Sequence, residues 1–350
     1  MYKTSVTKKD FHIDTRHFFK NKKVVVTGGS GFIGSHLVEQ LLALEASPVI
    51  LTRQKNPVFL NAVLNKITLK YCDLFDYKAT LDSCEGVDVV INLAATVAGL
   101  AYNAKHSATI YRQNSQLLLN TIEAAKNAHV TYFSTCSSAC VYPRYCTIPT
   151  PETEGMKEEP EPTNSGYGWA KRMQEYVSVQ YAKEFGMKIA ISRPYNGYGP
   201  RDNFNEETSH VIPALIKKAF ETRTGAFEVW GDGDHSRSFL YSDDFARGIL
   251  EVTARYACHD PINIGADEEI TIRALAHMIA KEVSVIRQRT IVPTFNKNEL
   301  TGQPRRKCDT TKISNALGYK TLVTLEVGLH NTIKWYNEYR RSTGVCNDSH

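Results

Sequence analysis

The fold of this chain is decided by residues 22–34, which read KKVVVTGGSGFIG. A short run of valines ends in a cluster of glycines, and apolar residues then recur at helical spacing as far as Leu44. A second run suited to a strand follows at residues 48–52. Strand, glycine turn, helix and strand in this order predict a βαβ unit at the start of the chain.

The same alternation continues as far as Arg193. Further strands are predicted at residues 67–72, 87–93, 131–137 and 188–193, and long helices at 109–128 and 168–185. Strands rich in Val and Ile that alternate with helices predict an α/β fold, a doubly wound parallel sheet of the Rossmann type with helices on both faces. Beyond Tyr195 the rhythm becomes irregular, which predicts a smaller C-terminal α/β domain.

The glycines at positions 29, 31 and 34 fit GxGxxG, and those at 28, 31 and 34 fit the related GxxGxxG spacing. Glycines permit a tight turn and a close approach of the backbone, so a pyrophosphate can lie on the N-terminus of the following helix. Because the motif lies between a predicted strand and a predicted helix, it indicates dinucleotide binding. We therefore expect a dinucleotide-binding domain at residues 21–194, rejoined near residues 239–257, and an interleaved substrate-binding domain at residues 195–345. Residues 1–20 are expected to be an N-terminal extension.

Composition narrows the class of protein. The 350 residues include 42 Lys and Arg against 37 Asp and Glu, a net charge of +5, and the basic residues are scattered. A nucleic-acid-binding face is therefore not expected. No apolar run is long enough to span a bilayer, and residues 1–23 show no secretory pattern, so we expect a cytoplasmic protein without a membrane partner. The 8 cysteines form no CxxC pair, which argues against a thiolate metal site.

In a dinucleotide-binding domain, the residues at the end of the second strand contact the 2′ position of the cofactor's adenosine ribose. An Asp or Glu there favours NAD, but this chain has Thr52 and Arg53. An arginine can pair with the 2′-phosphate of NADP, so NADP(H) is favoured and NAD remains possible. Asp73 and Leu74, just after the third strand, are placed to border the adenine.

Tyr167 has a lysine four residues later, Lys171, near the start of a predicted helix. This spacing places both side chains on one helix face, where the ammonium can lower the pKa of the phenol and let it exchange a proton with a sugar oxygen. The motif gains weight because it follows the glycine turn and the segment SSACVYP at residues 137–143.

Taken together, these motifs resemble the extended short-chain dehydrogenase/reductases that act on nucleotide sugars. The resemblance covers about residues 22–339 and includes NLAA at 92–95, RPYNGYGP at 193–200, WGDG at 230–233 and RSF at 237–239. It implies a catalytic set in which Ser138 polarises the reacting oxygen, Tyr167 exchanges the proton and Lys171 holds the nicotinamide ribose. Hydride transfer would take place at C4 of a hexose. Cofactor contacts are implied at Gly28, Gly31, Phe32, Ile33, Gly34, Leu93, Ala94, Ala95, Tyr167, Lys171 and Pro194.

Two further residues narrow the resemblance. Cys140 follows Ser138 by two positions, and His210 lies in the segment DNFNEETSHVIPAL at 202–215. Together with LTGQPRRK at 300–307 and Asp309, they are similar to the GDP-L-fucose synthases. In those enzymes a cysteine and a histidine exchange protons at C3 and C5 beside a C4 ketone. A thiolate can remove such a proton and an imidazolium can return one.

The chain is also similar to GDP-mannose 3,5-epimerases, which use bound NAD without net redox. Those enzymes carry a lysine in the role of His210 and an acidic residue after the second strand, so Arg53 and His210 favour the synthase type. Lys217 and Lys218 remain possible contributors. The chain departs from the synthase pattern in its N-terminal extension and in the segment TVAGL at residues 96–100, which leaves the sugar open. A non-catalytic, NADP-sensing protein of the same fold is a third reading.

The GDP-sugar substrate implied by this resemblance carries a diphosphate and a base. Guanidinium groups suit bidentate phosphate binding, and the resemblance implies such contacts for Arg237 and for Arg305 or Arg306. Trp230 is expected to border the base, and Asn196 and His210 to face the hexose. Lys218 is a further expected substrate contact. By resemblance alone, we also expect a homodimer formed through the helices at 109–128 and 168–185.

Overall fold

The computed structural model describes residues 4–97, 100–205, 208–297 and 303–343. The strands are β1 (Lys23–Thr27), β2 (Ser47–Thr52), β3 (Thr68–Tyr71), β4 (Val89–Asn92), β5 (Tyr132–Cys136), β6 (Lys188–Pro194), β7 (Gly197–Tyr198), β8 (Ala226–Trp230), β9 (Ser236–Arg237), β10 (Leu240–Tyr241), β11 (Ile262–Ile264), β12 (Ile270–Thr271), β13 (Val292–Asn296) and β14 (Arg305–Arg306). The α-helices are α1 (Ile13–Phe19), α2 (Phe32–Ala43), α3 (Tyr77–Cys84), α4 (Leu100–Lys105), α5 (Ser107–Asn127), α6 (Ser165–Phe185), α7 (Val211–Glu221), α8 (Ser242–Arg255), α9 (Ile272–Arg287), α10 (Thr311–Leu317) and α11 (Leu325–Ser342).

Seven of the described strands form one sheet in the order β11-β6-β5-β4-β1-β2-β3. Every neighbouring pair in it is parallel, which confirms the predicted doubly wound fold. The chain proceeds outward from β1 in one direction through β2 and β3 and in the other through β4, β5 and β6. The strand order therefore reverses between β1 and β4. In open parallel sheets, ligands bind beyond the carboxyl ends of the strands at such a switch point.

Helices cover both faces of the sheet because the strands are apolar on both sides. Val24 and Val26 pack with Leu37 of α2 and Ile249 of α8 in one core cluster. Val25, which alternates with them, packs into a second cluster on the other face with residues of α5. This alternation follows from the two-residue repeat of a strand. The sheet is therefore a central layer between two helical layers.

The C-terminal part of the chain contributes to both units of the molecule. Helix α8 packs against α2, and β11 extends the central sheet beside β6. A separate apolar cluster is formed mainly by α7, α9 and α11 with β8, and it includes Ile216, Val229, Ile279 and Ile333. This second core supports the far wall of the crevice above the sheet.

The N-terminal extension contains structure that the sequence did not predict. Residues 4–19, here called the N-terminal strap, include α1 and cross the helical layer formed by α2 and α8. Val6, Phe11 and Phe19 of the strap are buried in the same core cluster as Val24 and Leu37. The strap is thus part of the packed domain.

Helix boundaries otherwise lie close to the predicted ones. Helix α5 begins at Ser107 and α6 at Ser165, each a few residues before the predicted start. Helix α3 was not predicted. Among the described residues, none of the helices combines the length and the apolar character needed to cross a membrane.

Candidate active site

The glycine turn closes the gap between β1 and α2. Gly28 has a φ of +68°, a conformation that favours glycine, and the Gly31 N–H donates to the Gly28 carbonyl at 3.0 Å. A Cβ atom at Gly34 would lie 2.1 Å from that carbonyl oxygen. The absence of side chains brings the N-terminus of α2 against the turn. The free N–H groups of its first turn can then face a phosphate.

A cavity of about 1850 Å³ opens above the carboxyl ends of the central strands. Pockets that bind one small ligand are roughly 300–1,000 Å³, so this cavity has room for two. It is lined by residues predicted as binding or catalytic: Gly28, Gly31, Phe32, Ile33, Gly34, Arg53, Asp73, Leu74, Leu93, Ala94, Ala95, Ser138, Cys140, Tyr167, Lys171, Pro194, Asn196, His210, Lys218, Trp230, Arg237 and Arg306.

The end of β2 offers hydroxyl groups and a cation to this cavity. The Thr52 hydroxyl lies 3.0 Å from the Ser30 hydroxyl and accepts a hydrogen bond from the Gln54 N–H at 3.0 Å. Arg53 is exposed and lines the cavity beside them. The end of β2, which would carry a carboxylate in an NAD-preferring site, thus offers the engaged hydroxyl of Thr52 and the cation of Arg53.

Ser138, Tyr167 and Lys171 come together where β5 ends and α6 begins. The Lys171 ammonium lies 5.4 Å from the centre of the Tyr167 ring. It donates to the Cys136 carbonyl at 2.6 Å and to the Gln174 side-chain oxygen at 3.0 Å. Lys171 is buried, so these two acceptors fix its ammonium below the cavity floor.

Electrostatics in this site differ from the prediction for the tyrosine. Burial raises the pKa of Tyr167 well above its ordinary value, and the Cys140 and Cys136 thiols add to that effect. A hydrogen bond with the Ser138 side chain opposes the shift in the Tyr167 pKa. Burial also lowers the pKa of Lys171. In the free protein desolvation therefore outweighs the predicted effect of the ammonium, and Tyr167 is a protonated phenol at neutral pH.

Cys140 lies in the short 3₁₀-helix Ala139–Val141 that follows Ser138. Its backbone N–H donates to the Ser138 hydroxyl at 3.1 Å. Its sulfur receives hydrogen bonds from the Asn164 side-chain amide at 3.1 Å and from Arg306 Nη2 at 3.7 Å. The thiol predicted to exchange protons is thus half-buried and surrounded by hydrogen-bond donors.

His210 is the residue that precedes α7, on the wall of the cavity opposite the sheet. It keeps solvent access through the cavity, yet the protein wall around it and the nearby Arg306 guanidinium lower the pKa of its imidazole. His210 is therefore neutral at pH 7 and can accept a proton before it returns one.

Comparison with known proteins identifies the family of this fold and site. Residues 24–265 match the model of the NAD dependent epimerase/dehydratase family, which is more than half of the chain. The chain belongs to this family. It is an enzyme of the NAD(P)-dependent, short-chain dehydrogenase/reductase type.

Curated relatives of this epimerase/dehydratase-family chain extend over nearly its whole length. A GDP-L-fucose synthase of Sinorhizobium fredii is 30% identical over 316 residues, which are 89% of this chain and 95% of the relative. A probable GDP-L-fucose synthase of Oryza sativa is 32% identical and aligns over 91% and 93% of the two chains. A GDP-mannose 3,5-epimerase of Arabidopsis thaliana is 30% identical, with 91% of this chain and 83% of the relative covered.

Solved structures of related enzymes share the fold of the whole chain. An epimerase from Methanothermobacter thermautotrophicus superposes with a TM-score of 0.83 at 22% identity and covers 95% of this chain and 96% of its own. A GDP-L-fucose synthetase from Naegleria fowleri, solved with NADP, gives a TM-score of 0.77 at 22% identity over 92% and 96%.

Two arginines, Arg237 and Arg306, line the cavity from neighbouring strands. In the parallel pair of β14 and β9, Arg306 lies opposite Arg237. Burial and the proximity of Arg306 lower the pKa of Arg237 to about 10. Two guanidinium groups held side by side repel each other, so an anion between them is favoured.

Sequence reasoning left Arg305 and Arg306 as alternatives for one diphosphate contact, and the structure turns Arg305 away from the cavity. Arg305 is not among the residues that line the cavity, and it forms two hydrogen bonds with Glu269, at 2.7 and 2.8 Å. Adjacent residues on a strand point in opposite directions. Arg306 consequently faces the cavity and Arg305 faces the surface.

The far end of the cavity carries an exposed indole. Trp230 is 56% exposed, and the Lys218 ammonium lies 5.0 Å from its ring centre while donating to the Glu228 carbonyl at 3.1 Å. Lys217 lies elsewhere and pairs with Glu221 at 2.7 Å. An aromatic face with a fixed cation beside it suits a flat, polar base.

Asn196 connects the two units at the middle of the cavity. Its φ is +29°, unusual for a residue other than glycine, and its side-chain amide donates to the Ser238 carbonyl at 2.8 Å. Such a backbone conformation persists where surrounding contacts impose it and is common in functional sites. The junction between β6 and β7 is thereby fixed.

Several cavity residues were missed by sequence reasoning: Asn103, Cys136, Glu161, Asn164, Asp202 and Gln303. One signal was available, because Asn164 precedes Tyr167 by three residues, one turn of α6. Asp202 and Gln303 lie in the motifs at 202–215 and 300–307 but were given no role. The remaining residues reach the cavity through tertiary contacts that no local spacing reveals. Leu300, Thr301 and Gly302 of the predicted C-terminal motif, and residues 98 and 99 of the segment TVAGL, lie outside the described residues.

Proposed function

We propose that the chain is an NADPH-dependent nucleotide-sugar epimerase/reductase acting on a GDP-4-keto-6-deoxyhexose. One observation carries this proposal: Cys140 and His210 line the same cavity as Ser138, Tyr167 and Lys171. A reductase needs only the last three residues. A second acid/base pair in the same cavity supports proton exchange at carbon in addition to reduction at C4.

The residues around the glycine turn fit a dinucleotide. The turn leaves no room for side chains at Gly34, and the N-terminus of α2 faces the cavity, as a pyrophosphate requires. Arg53 supports a 2′-phosphate, and Asp73 and Leu74 would border the adenine. When bound, NADPH supplies hydride to C4 of the hexose. The name of the Naegleria fowleri relative, solved with NADP, agrees with this preference.

The chemistry of epimerisation gives Cys140 and His210 the roles of base and acid in proton exchange at carbon. A 4-keto group acidifies the C–H bonds at C3 and C5, so a weak base can remove those protons. The Cys140 thiolate takes the proton, and the charge left on carbon delocalises to the C4 oxygen, which Ser138 can stabilise by a hydrogen bond. Return of a proton from protonated His210 on the opposite face inverts the centre. Because the pKa of His210 lies below its ordinary value, the protonated fraction is lost as the pH rises through the range below neutral, and at pH 7 His210 must first take up from solvent the proton that it returns.

Reduction of the ketone gives Tyr167 the role of proton donor and Lys171 the role of the cation that supports it. Hydride addition at C4 leaves an alkoxide, and Tyr167 donates the proton that makes it a hydroxyl. The raised pKa of Tyr167 keeps this proton available at neutral pH. The buried Lys171 ammonium is held 5.4 Å from the tyrosine ring and can stabilise the phenolate that forms.

The rest of the substrate would extend from the triad towards α7. Arg237 and Arg306 would bind the diphosphate, and Trp230 with Lys218 would border the guanine. Two curated relatives, one named a GDP-L-fucose synthase and the other a GDP-mannose 3,5-epimerase, support this substrate class.

A second candidate function is a GDP-sugar 3,5-epimerase with bound NAD and no net redox. It is favoured by the GDP-mannose 3,5-epimerase of Arabidopsis thaliana, which is 30% identical to this chain. Against it stand Arg53 at the end of β2 and the engagement of both lysines, Lys217 with the Glu221 carboxylate and Lys218 with the Glu228 carbonyl. The complete Ser138, Tyr167 and Lys171 set speaks against a third candidate, a non-catalytic NADP sensor.

The deciding experiment incubates purified protein with GDP-4-keto-6-deoxymannose and NADPH in heavy water. We expect loss of nicotinamide absorbance together with deuterium uptake at C3 and C5 of the product, read by mass spectrometry and NMR. Deuterium uptake without any NADPH oxidation would favour the redox-neutral epimerase. Absence of both signals would refute the proposed epimerase/reductase activity on this substrate.

Single substitutions separate the two half-reactions. Tyr167→Phe should abolish most NADPH oxidation, by about 10²-fold or more, because the proton donor is lost. Tyr176→Phe lies on the same helix, 64% exposed, and should be unaffected. Cys140→Ala should stop isotope uptake at one or both carbons, whereas Cys146→Ala should not. Full reduction by Tyr167→Phe would contradict the mechanism.

A further inference from the structure

We infer that Asn164 and Arg306 hold the Cys140 sulfur in place and direct it for proton exchange, and that Asn103 is a positioning residue that acts through Asn164. The inference deepens the proposed function, on which the proton-exchange role of Cys140 rests. The contacts themselves belong to the free protein.

The sulfur is held from two separate elements. Asn164, at the end of the 3₁₀-helix Pro162–Asn164, donates its side-chain amide to Cys140 Sγ at 3.1 Å. Arg306 of β14 approaches the same sulfur through Nη2 at 3.7 Å. The backbone N–H of Cys140 is fixed in turn by the Ser138 hydroxyl at 3.1 Å. Both the position of the sulfur and the direction of its acceptor orbitals are thereby defined.

Asn103 decides which end of the Asn164 amide meets the sulfur. The Asn103 Nδ2 donates to the Asn164 Oδ1 at 2.7 Å, and Asn103 is 5% exposed on α4. Because the oxygen of Asn164 is engaged by this donor, its NH₂ group is the end that faces Cys140. If the Asn164 amide were rotated by 180°, its NH₂ group would face the NH₂ group of Asn103. Its oxygen would then face the Cys140 sulfur. Asn103 therefore works against that orientation.

The charges around the sulfur are set by several elements. Tyr167 and Lys171 face it from α6, and Cys136 lies nearby at the end of β5. His210 approaches from the start of α7 beside Arg306, and the Glu161 carboxylate also acts on that arginine. Among these groups, the Arg306 guanidinium is the cation in contact with the sulfur. A guanidinium and an amide donor in contact with the sulfur suit the charge that develops and disperses there as Cys140 exchanges a proton.

The contacts to Cys140 should matter more for proton exchange at C3 or C5 than for reduction at C4. Removal of a proton from C3 or C5 requires the thiolate, since the thiol has no basic lone pair of comparable strength. Reduction at C4 depends on Tyr167 and Lys171. Loss of the contacts to Cys140 should therefore slow isotope exchange at carbon more than hydride transfer.

The test measures alkylation of Cys140 by iodoacetamide at pH 7 in the free protein, with the modified peptide quantified by mass spectrometry. Only the thiolate reacts, so the rate reports its fraction and access. We expect Arg306→Met and Asn164→Asp to lower the rate about tenfold, because an opposite charge is lost or a like charge is added. Asn103→Leu should lower it less, and Arg306→Lys should keep most of the wild-type rate.

Arg305→Met is the matched control, since the Arg305 side chain pairs with Glu269 at the surface. Its Cys140 alkylation rate should equal that of the wild type. Melting curves of each variant separate misfolding from a local effect, and Asn164→Asp preserves the size of the side chain. Equal alkylation rates in wild type, Arg306→Met and Asn164→Asp would overturn the inference.

The assay contains no sugar nucleotide, so it is independent of the proposed function. If the proposed substrate is inert but the alkylation rates differ as expected, the function fails and the inference stands. If the substrate reacts, the ratio of deuterium uptake to NADPH oxidation provides the second readout. That ratio should fall in Asn103→Leu and in Asn164→Asp, and an unchanged ratio would contradict the positioning role of Asn103.

Discussion

Arg53 sits at the point where the two candidate cofactors differ by a single phosphate. Replacement by alanine removes the guanidinium that we propose to bind the 2′-phosphate. We expect the preference for NADPH over NADH, measured as the ratio of kcat/KM values, to fall about 10- to 100-fold, because a charge-assisted contact contributes roughly 1.5–3 kcal/mol.

Lys55→Ala provides the control for this change. Lys55 is an exposed cation of the same loop that does not line the cavity. Its cofactor preference should match that of the wild type. A ratio that Arg53→Ala leaves unchanged would rule out this arginine as the determinant of the preference.

Asp202 gives the free protein a pH-dependent stability. It is 8% exposed, one oxygen accepts the Asn203 N–H at 2.7 Å, and its Oδ2 has no hydrogen-bond partner within the described part of the chain. Burial raises the pKa of Asp202 to about 8. Between the ordinary pKa of an aspartate and this value, the folded chain binds a proton that the unfolded chain does not, so stability falls as the pH rises.

Asp202→Asn should remove this dependence. Relative to wild type, we expect the variant to gain at least about 1 kcal/mol in free energy of unfolding between pH 5 and pH 8.5, measured by urea denaturation at both values. The comparison uses the change with pH in each protein, so a constant cost of the amide cancels. Parallel pH profiles for the two proteins would show that Asp202 is not the group responsible.

At the residue scale, the predictable parts of the site were those encoded by local spacing. The glycine turn and the pair Tyr167 and Lys171 are short patterns whose geometry follows from a turn or a helix. The donors to Cys140 are separated from it by 24 and 166 residues, and their contact depends on how three elements pack. The choice between Arg305 and Arg306 depended on the register of a two-residue strand, which sequence does not reveal.

At the scale of elements, the N-terminal strap has a testable energetic role. Ser5 donates its backbone N–H and its hydroxyl to Asp243, both at 2.8 Å, and Thr15 donates to Glu251 at 2.6 Å. Both carboxylates belong to α8. Phe11 of the strap is 2% exposed in the core cluster. The strap therefore satisfies buried acids and covers apolar surface at the same time.

Phe11→Ala should lower the free energy of unfolding by about 3–5 kcal/mol, the usual cost of an aromatic cavity in a core. Ile13→Ala on the same strap changes a side chain that is 44% exposed, and it should cost much less. Urea denaturation of the two variants beside the wild type makes the comparison. No loss in Phe11→Ala would show that the strap does not stabilise the domain.

The central elements were predictable because burial on both faces makes them continuously apolar. Strand β6 and helix α2 lie within one or two residues of their predicted bounds. Helices α1 and α3 were missed since each is short and buries few side chains. The partners of α1 lie on α8, more than 200 residues away, as in the contact between Thr15 and Glu251 with a separation of 236. A sequence window cannot detect such a partner.

At the scale of the whole molecule, α5 and α6 present an apolar surface to solvent. Tyr111 and Leu119 of α5 are 41% and 42% exposed, and Trp169 and Tyr176 of α6 are 42% and 64% exposed. The two helices pack against each other on one face of the sheet. We propose that this surface pairs with the same surface of a second copy about a two-fold axis.

Tyr176→Arg places a charge in the proposed interface and should convert the dimer to a monomer, as measured by sedimentation velocity. Val285→Arg, at a position 73% exposed on α9, adds the same charge elsewhere and should leave the assembly intact. A wild-type protein that sediments as a monomer would refute the interface. So would a dimer that both variants retain.

The bond between Ser5 and Asp243 also has a consequence for how the molecule is made. The two residues are 238 positions apart, and ribosomes add about 5–20 residues each second. The strap therefore leaves the ribosome some 10–50 s before its partner helix is synthesised. Until α8 is made, its phenylalanines can meet only the earlier members of their core cluster, such as Val24 and Leu37. The first segment to emerge is thus among the last to pack. The N-terminal strap cannot complete its contacts until α8 has been synthesised.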